Sequence, residues 1–364
     1  MISFARGVPA PECLPVEELA DCAKAALERD GGTALSYGPA AGYEPLRRWI
    51  AERHRVEPER VVVTNGSLQG FVFLATRLLG DGGRVLVEAP TYDRPLKILA
   101  GLGADVRTLR QDDDGLDVDA LEREVEGAPQ PSFLYTIPTF QNPSGRTLVL
   151  ERRRRLVDLA RERDLVVLED DPYGLVRFEG DPLPTLFELE GGERVVYSSS
   201  FSKTIAPGVR VGYLVLPPDL ARAVDAIATS TYVTPVLMAQ ATVYEFLRRG
   251  NFEPNLERVC GLLRARRDAM LSALEREFRT EASWSRPAGG YFLWLDLPGD
   301  APASRLLERA AEREVTFVNG PDFFPRGEGG ESSLRLAYSF ASPAEIEEGV
   351  SRLASALEPA PAAV

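Results

Sequence analysis

The chain has 364 residues, 44% of them apolar and 27% charged, with a formal net charge of −13. This length suits one large or two medium domains with a substantial core, and the acidic balance argues against a nucleic-acid or anionic-membrane partner. No run approaches the ~20 apolar residues of a spanning helix.

The N-terminus has no apolar signal-peptide core. The three cysteines, Cys13, Cys22 and Cys260, make neither metal spacing nor a disulfide framework. A cytoplasmic location and no metal site are expected. The single histidine, His54, lies in the basic run Arg53-His54-Arg55 and is expected to be solvated, leaving acid–base chemistry to other groups.

The first thirty residues are too short to fold alone. From about residue 60 to 250, short β-rich runs alternate with helical patterns. Val61–Val63 reads as a strand, Leu68–Leu79 as a helix, and Arg84–Glu88 as a strand. A helix from Pro95, a strand near Asp105–Leu109 and a buried strand over Ser132–Ile137 follow. Leu150–Arg163 is an amphipathic helix, and Leu165–Glu169, Val195–Ser198 and Val211–Leu216 are strands. This alternation predicts an α/β protein with a mostly parallel sheet covered on both faces, and sites in such sheets form at the carboxyl ends of strands. The remainder changes character. A long helix over 252–278 leads into strands at Tyr291–Leu295 and Leu334–Ala337 and helices at Ala303–Glu314 and Pro343–Ala356, a smaller α+β domain. The division expected is a large domain over 31–255 and a small one over 1–30 and 256–364, with a Pro/Ala tail after Leu357.

The polar clusters fall at strand ends. Lys203 is one of three lysines, with Lys24 and Lys97, in a chain that otherwise uses arginine for its cations. A guanidinium neither gives up its proton nor forms a Schiff base, and a lysine amine does both. Ser200 and Ser202 flank Lys203 and share one face if that stretch is extended. Arg210 follows seven residues later and suits bidentate phosphate binding. Thr64-Asn65-Gly66-Ser67-Leu68-Gln69-Gly70 ends a strand and opens a helix, the setting in which free amides face an anion. Val166–Asp171 is an apolar strand ending in three carboxylates; one of them set against a pyridinium nitrogen would keep the ring an electron sink, and Tyr173 could reach the ring's phenolate oxygen. Asn142, in Gln141-Asn142-Pro143-Ser144-Gly145, could donate to the same oxygen, and Tyr92, after Glu88-Ala89-Pro90-Thr91, could stack on a planar ring. Arg335 sits inside the apolar strand Leu334-Arg335-Leu336-Ala337; arginine is rarely buried unpaired, so it needs an internal acid or a substrate carboxylate.

Together these motifs resemble the fold type I, pyridoxal-phosphate-dependent aminotransferases of class I/II, over nearly the whole chain and in order. The branch most similar holds 2-aminoadipate and kynurenine-type aminotransferases and the effector domains of MocR-type regulators. The signature stretches are Ser-Phe-Ser-Lys-Thr around Lys203 with Val-Arg-Val-Gly at Arg210, Glu-Asp-Asp-Pro-Tyr around Asp170, and Gln-Asn-Pro-Ser-Gly around Asn142. The resemblance implies a large domain with a mostly parallel seven-stranded sheet, a smaller α+β domain and pyridoxal 5'-phosphate as cofactor. It implies amino-group transfer from an L-amino acid to a 2-oxo acid, 2-oxoglutarate or pyruvate, through a Lys203 aldimine.

By the same resemblance, Lys203 moves the proton, Asp170 pairs with the ring nitrogen, Tyr173 and Asn142 bond the phenolate oxygen, and Tyr92 stacks on the ring. Ser67, the Leu68 amide, Ser200, Ser202 and Arg210 hold the phosphate, with Gln69 in the same loop. Arg335 clamps the substrate carboxylate with Asn142 assisting, Gly7 lies beside the substrate, and Tyr37 reaches the partner's phosphate in a homodimer. The chain departs from the usual pattern at Ser144, where the family carries threonine. It also begins at Ile2-Ser3-Phe4, where many relatives carry some thirty residues of lid-forming arm, so side-chain selectivity is not carried over. No DNA-binding segment is expected. Phe140, Gln141, Tyr43, Tyr232 and Arg94 are candidates for the pocket wall, with Arg94 suited to an acidic side chain or to a surface ion pair. β- or γ-lyases, decarboxylases and synthases of the same fold share every named residue and stand as the alternative.

Overall fold

The computed structural model describes residues 1–80, 82–278, 282–299 and 301–357; the Pro/Ala tail after Leu357 lies outside them. The chain opens with β1 (Ile2–Ser3), α1 (Val16–Ala34) and α2 (Glu44–His54). Then come β2 (Val61–Thr64), α3 (Ser67–Leu79), β3 (Arg84–Ala89), α4 (Asp93–Gly101), β4 (Asp105–Asp112), β5 (Gly115–Leu116) and α5 (Val118–Glu126). The central stretch holds β6 (Phe133–Thr136), α6 (Leu150–Glu162), β7 (Val167–Asp170), α7 (Leu186–Glu190), β8 (Val195–Ser200) and β9 (Gly212–Val215). Next are α8 (Pro218–Tyr232), α9 (Leu237–Arg248) and the long α10 (Phe252–Glu277). The last part contains β10 (Ser283–Trp284), β11 (Phe292–Asp296), α11 (Ala303–Glu312), β12 (Val315–Thr316), β13 (Val318–Asn319), β14 (Ser333–Ala337) and α12 (Pro343–Ser355).

Eight strands form the large sheet in the order β2-β9-β8-β7-β6-β3-β4-β5. Seven are full strands; the eighth is the two-residue β5, paired back on β4. β4, β3, β6, β7 and β8 are mutually parallel, and β9 is antiparallel to both its neighbours. The sheet is apolar on both faces because successive residues point to opposite sides. Val61 and Val63 enter one core layer and Val62 the other; Leu134 and Val167 face the first, Phe133, Tyr135 and Leu168 the second. The smaller sheet, β10-β11-β14-β13, packs its apolar face with α10, α11 and α12 around Leu293, Leu334 and Leu336.

The N-terminal stretch, expected to pack as a whole on the small domain, divides instead. β1 pairs with β12 and Phe4 joins the small sheet's core. α1 places Cys22 and Ala26 in the core layer shared with Ala241 and Phe246 of α9. The small Ala and Cys side chains on that face let the two helices approach. No described helix is long and apolar enough to cross a membrane.

The topology places six chain segments at one edge. The parallel strands β3, β6, β7 and β8 present their carboxyl ends together. β9 runs back, so its first residue, Gly212, lies in register with Ser200 and with Thr64 at the end of β2.

Candidate active site

A cavity of about 400 Å³ opens at that edge. The phosphate-sized end is built largely from backbone. Gly66, with φ +91°, caps α3 without a side chain, so the helix's first amides are free to face an anion. A Cβ on Gly66 would come within 2.1 Å of Arg210 Nη2, and one on Gly212 within 2.2 Å of the Ser67 amide nitrogen. The two glycines let β9 and Arg210 lie against the turn. Arg210, itself at φ +52°, is exposed and donates to the carbonyls of Pro207 and Asn65 at 3.3 and 3.2 Å. Beyond Ser200 the chain turns rather than staying extended, yet Ser200 and Ser202 still meet, with their hydroxyls 2.8 Å apart. Ser67 and Leu68 line the cavity. Gln69 does not: its Oε1 accepts the Asn65 amide at 2.9 Å, so it shapes the turn and not the wall.

The floor is formed by Asp170, at the end of the central strand β7. Tyr135 donates to its Oδ2 at 2.9 Å, and Oδ1 is buried with no partner among the described residues. Burial raises this carboxyl to about 7, opposed by the hydrogen bond from Tyr135 and reinforced by the neighbouring Asp171. Asp170 lines the cavity. A buried acid with one free oxygen is suited to a cationic or protonated ring nitrogen. Tyr135 and Ser198 carried no motif of their own; only the pairing of Asp170 with Ser198 across β7–β8, and of β6 with β7, brings them there.

Lys203 Nζ stands over the floor and donates to the Gly7 carbonyl at 2.7 Å. Burial lowers its ammonium to about 8, helped by the positive charges of Arg335 and Arg210. A Cβ on Gly7 would strike the Phe292 ring at 2.4 Å, so only glycine brings this carbonyl in. Tyr173 and Tyr92 line the same cavity, and burial raises the Tyr173 phenol far above its usual range.

Arg335 of β14, only 7% exposed, lies between the rings of Phe292 and Phe323, 4.2 and 4.9 Å from its guanidinium carbon. It donates to Asn142 Oδ1 and to the Ala5 carbonyl, each at 2.9 Å, and its Nε has no partner among the described residues. No described carboxylate stands within ion-pairing distance of it. With its oxygen taken by Arg335, Asn142 keeps its NH2 as the donor left for the cavity.

Of the other pocket-wall candidates, only Arg94 lines the cavity, with a loose 3.7 Å contact to Asp93. Gln141 turns inward to Glu88 and the Pro90 carbonyl, Phe140 packs under Arg177, Tyr43 bonds Asp30 and Tyr232 bonds the Ala40 carbonyl. Tyr37 is 86% exposed and lies outside this chain's own cavity. His54 is not solvated. It packs against Tyr197, Tyr213 and Phe187, its Nε2 lies 3.3 Å from the Tyr213 hydroxyl, and burial lowers it to about 4. It continues the four-residue spacing of Leu46 and Ile50, both buried, and that was the available signal, since such residues share a helix face.

A family model for aminotransferase class I and II matches residues 9–353. The 2-aminoadipate transaminase of Thermus thermophilus is 43% identical over 362 residues, covering 98% of this chain and 90% of its own length. A crystal structure of alpha-aminoadipate aminotransferase from the same species, complexed with N-(5'-phosphopyridoxyl)-L-leucine, matches with a TM-score of 0.93 at 41% identity, covering 98% of this chain and 92% of that one. The structure of Pyrococcus horikoshii kynurenine aminotransferase matches with a TM-score of 0.93 at 33% identity, covering 98% and 90%.

Proposed function

The chain belongs to the class I and II aminotransferases and works with pyridoxal 5'-phosphate; from that premise we propose that it moves an amino group from an L-amino acid to 2-oxoglutarate or pyruvate, with the cofactor tethered at Lys203. The carrying observation is the free, buried Oδ1 of Asp170 on the floor beneath Lys203. A buried carboxylate oxygen left without a donor is costly unless a ligand completes it, and a pyridinium does so.

The residues fit the cofactor. The free amides of α3, Ser67, Ser200, Ser202 and Arg210 would hold its phosphate, Asp170 its ring nitrogen, Tyr173 and Asn142 its ring oxygen, and Tyr92 its face. When bound, pyridoxal phosphate supplies an aldehyde carbon that carries the amino group and a ring that draws in the electrons of the broken Cα–H bond. The protein's own groups do the rest. Arg335 and Asn142 grip the substrate's α-carboxylate, which fixes Cα beside Lys203. Lys203 Nζ, with its ammonium brought down to about 8, has both its neutral and charged forms accessible near pH 8 and takes the Cα proton in the neutral form. Tyr135 holds the Asp170 carboxylate in place through its hydrogen bond to Oδ2. Tyr37, exposed in one copy, reaches the phosphate of a second copy in a homodimer. The named relatives support 2-aminoadipate and kynurenine as the first amino donors to test.

Borohydride reduction of the purified holoenzyme is expected to fix the cofactor on the Lys203 peptide, and Lys203→Ala to abolish this. A donor panel with 2-oxoglutarate or pyruvate then reads the transfer. Amino acid alone is expected to leave pyridoxamine phosphate and a 2-oxo acid; ammonia or carbon dioxide as product would replace transamination with lyase or decarboxylase chemistry. Unlabelled Lys203, or no transfer from any donor, would sink the proposal.

A further inference from the structure

Tyr291 belongs to none of the motifs above. It directly precedes β11 and is completely buried. Its hydroxyl donates to the Lys203 backbone carbonyl at 3.1 Å, which satisfies a phenol that burial would otherwise leave unpaired. Its ring centroid lies 5.1 Å from Lys203 Nζ. The Tyr173 ring stands 6.0 Å from the same nitrogen and 5.6 Å from Tyr291, tilted 47°. One side chain therefore touches Lys203 at both ends.

The surroundings make this contact consequential. Among the described residues no carboxylate pairs with Lys203 Nζ. The charged groups facing it are Arg335 on β14 and Arg210 after the turn, both of which oppose its charged form; Asp170, Tyr92 and Tyr173 share the cavity. What favours the ammonium is the Gly7 carbonyl and the two aromatic faces, which attract a cation through their ring quadrupole. A lysine that takes a proton and later gives it back needs both forms accessible.

We propose that Tyr291 is a positioning residue for Lys203: its hydroxyl pins the Lys203 main chain, and its ring face steadies the Lys203 amine while it carries a proton. This rests on the reading of Lys203 as the reactive amine. Losing the ring face should lower the ammonium's midpoint, because a charged form loses a stabilising partner.

The three lysines make a direct test possible, since Lys24 and Lys97 are largely exposed and act as internal references. Brief acetic anhydride labelling of the full-length chain freed of cofactor, run across pH and read by mass spectrometry, reports the Lys203 midpoint. The wild type is expected near pH 8. Tyr291→Leu should move it down by about one pH unit, the scale of a desolvated cation–π contact. Tyr291→Phe keeps the ring and should stay within roughly 0.3 units of the wild type while loosening the main-chain hold. If Tyr291→Leu fails to fold, Tyr291→Met makes the same comparison with a gap-filling chain. An unchanged midpoint in the ringless variant, or an equal shift in Tyr291→Phe, would overturn the proposal. The readout needs no cofactor. A wild type that never tethers the cofactor removes the proposed function and leaves the midpoint shift standing; an unchanged midpoint with intact tethering removes only the role of Tyr291.

Discussion

Arg210 and Arg335, which both line the cavity, are built in contrary ways. Arg210 is exposed, takes a left-handed backbone and reaches its place because two glycines clear the way. Arg335 is buried, sits between two aromatic rings and has no described acid beside it. One is placed by backbone geometry and left in solvent, where charges are screened. The other is placed by packing and desolvated, which depresses its guanidinium to about 10. A desolvated cation gains far more from an incoming carboxylate than an exposed one gains from a phosphate that backbone amides also hold.

That contrast orders the expected effects. Arg335→Ala should cost the most: losing a buried partner of a charge pair is worth about 3 kcal/mol, roughly a hundredfold in kcat/KM for amino donors. Arg335→Lys should recover little of it, because a point charge does not match a carboxylate in two places. A variant within threefold of the wild type would mean the carboxylate binds elsewhere.

Gly212→Ala comes next. Its Cβ would meet the Ser67 backbone nitrogen, which cannot swing aside, so cofactor affinity measured by fluorescence titration should fall at least about tenfold, the equivalent of about 1.4 kcal/mol. Gly66→Ala should cost a comparable amount for a different reason: the clashing atom is the movable tip of Arg210, but φ +91° with ψ 151° is a region essentially confined to glycine, a strain of about 1–3 kcal/mol for alanine. Unchanged cofactor affinity in both variants would mean that the turn does not set the phosphate site.

Arg210→Lys should lose only a few-fold in cofactor affinity, because an exposed lysine still offers a charge to a phosphate. A loss as large as that of Arg335→Ala would erase the contrast.

The smallest effect is shared by both arginines. Each arginine lowers the Lys203 ammonium, Arg335 more than Arg210 and both less than burial. Replacing either with Gln removes a repelling cation, so the Lys203 midpoint in the acetylation profile should rise, further for Arg335→Gln. A downward shift would contradict the assigned cause.

The main elements of the site were legible because strand ends and a few chemically distinctive side chains mark it. Lys203 stands out in an arginine-rich chain, Asp170 ends an apolar strand, and Arg335 interrupts one. Gln69, grouped with the phosphate turn, does not line the cavity, because the turn says which residues are near, not which way an amide points; the Asn65 amide took its side-chain oxygen as an acceptor. His54 was misread because its charged neighbours at the helix end hid the four-residue spacing that buries it.

From its own order of residues, the protein has its alternating strands and helices, the two-faced apolar sheet and the residue types at the strand ends, since side-chain period is a local property. Tertiary structure alone decided which groups meet. Lys203 and Gly7 are 196 positions apart, Asn142 and Arg335 193, and Tyr135 and Asp170 35. A period assigns a side chain to a face, whereas sheet order and register assign its neighbours. So the free oxygen of Asp170, the unpaired Nε of Arg335 and the tyrosine beneath Lys203 appear only in the folded chain.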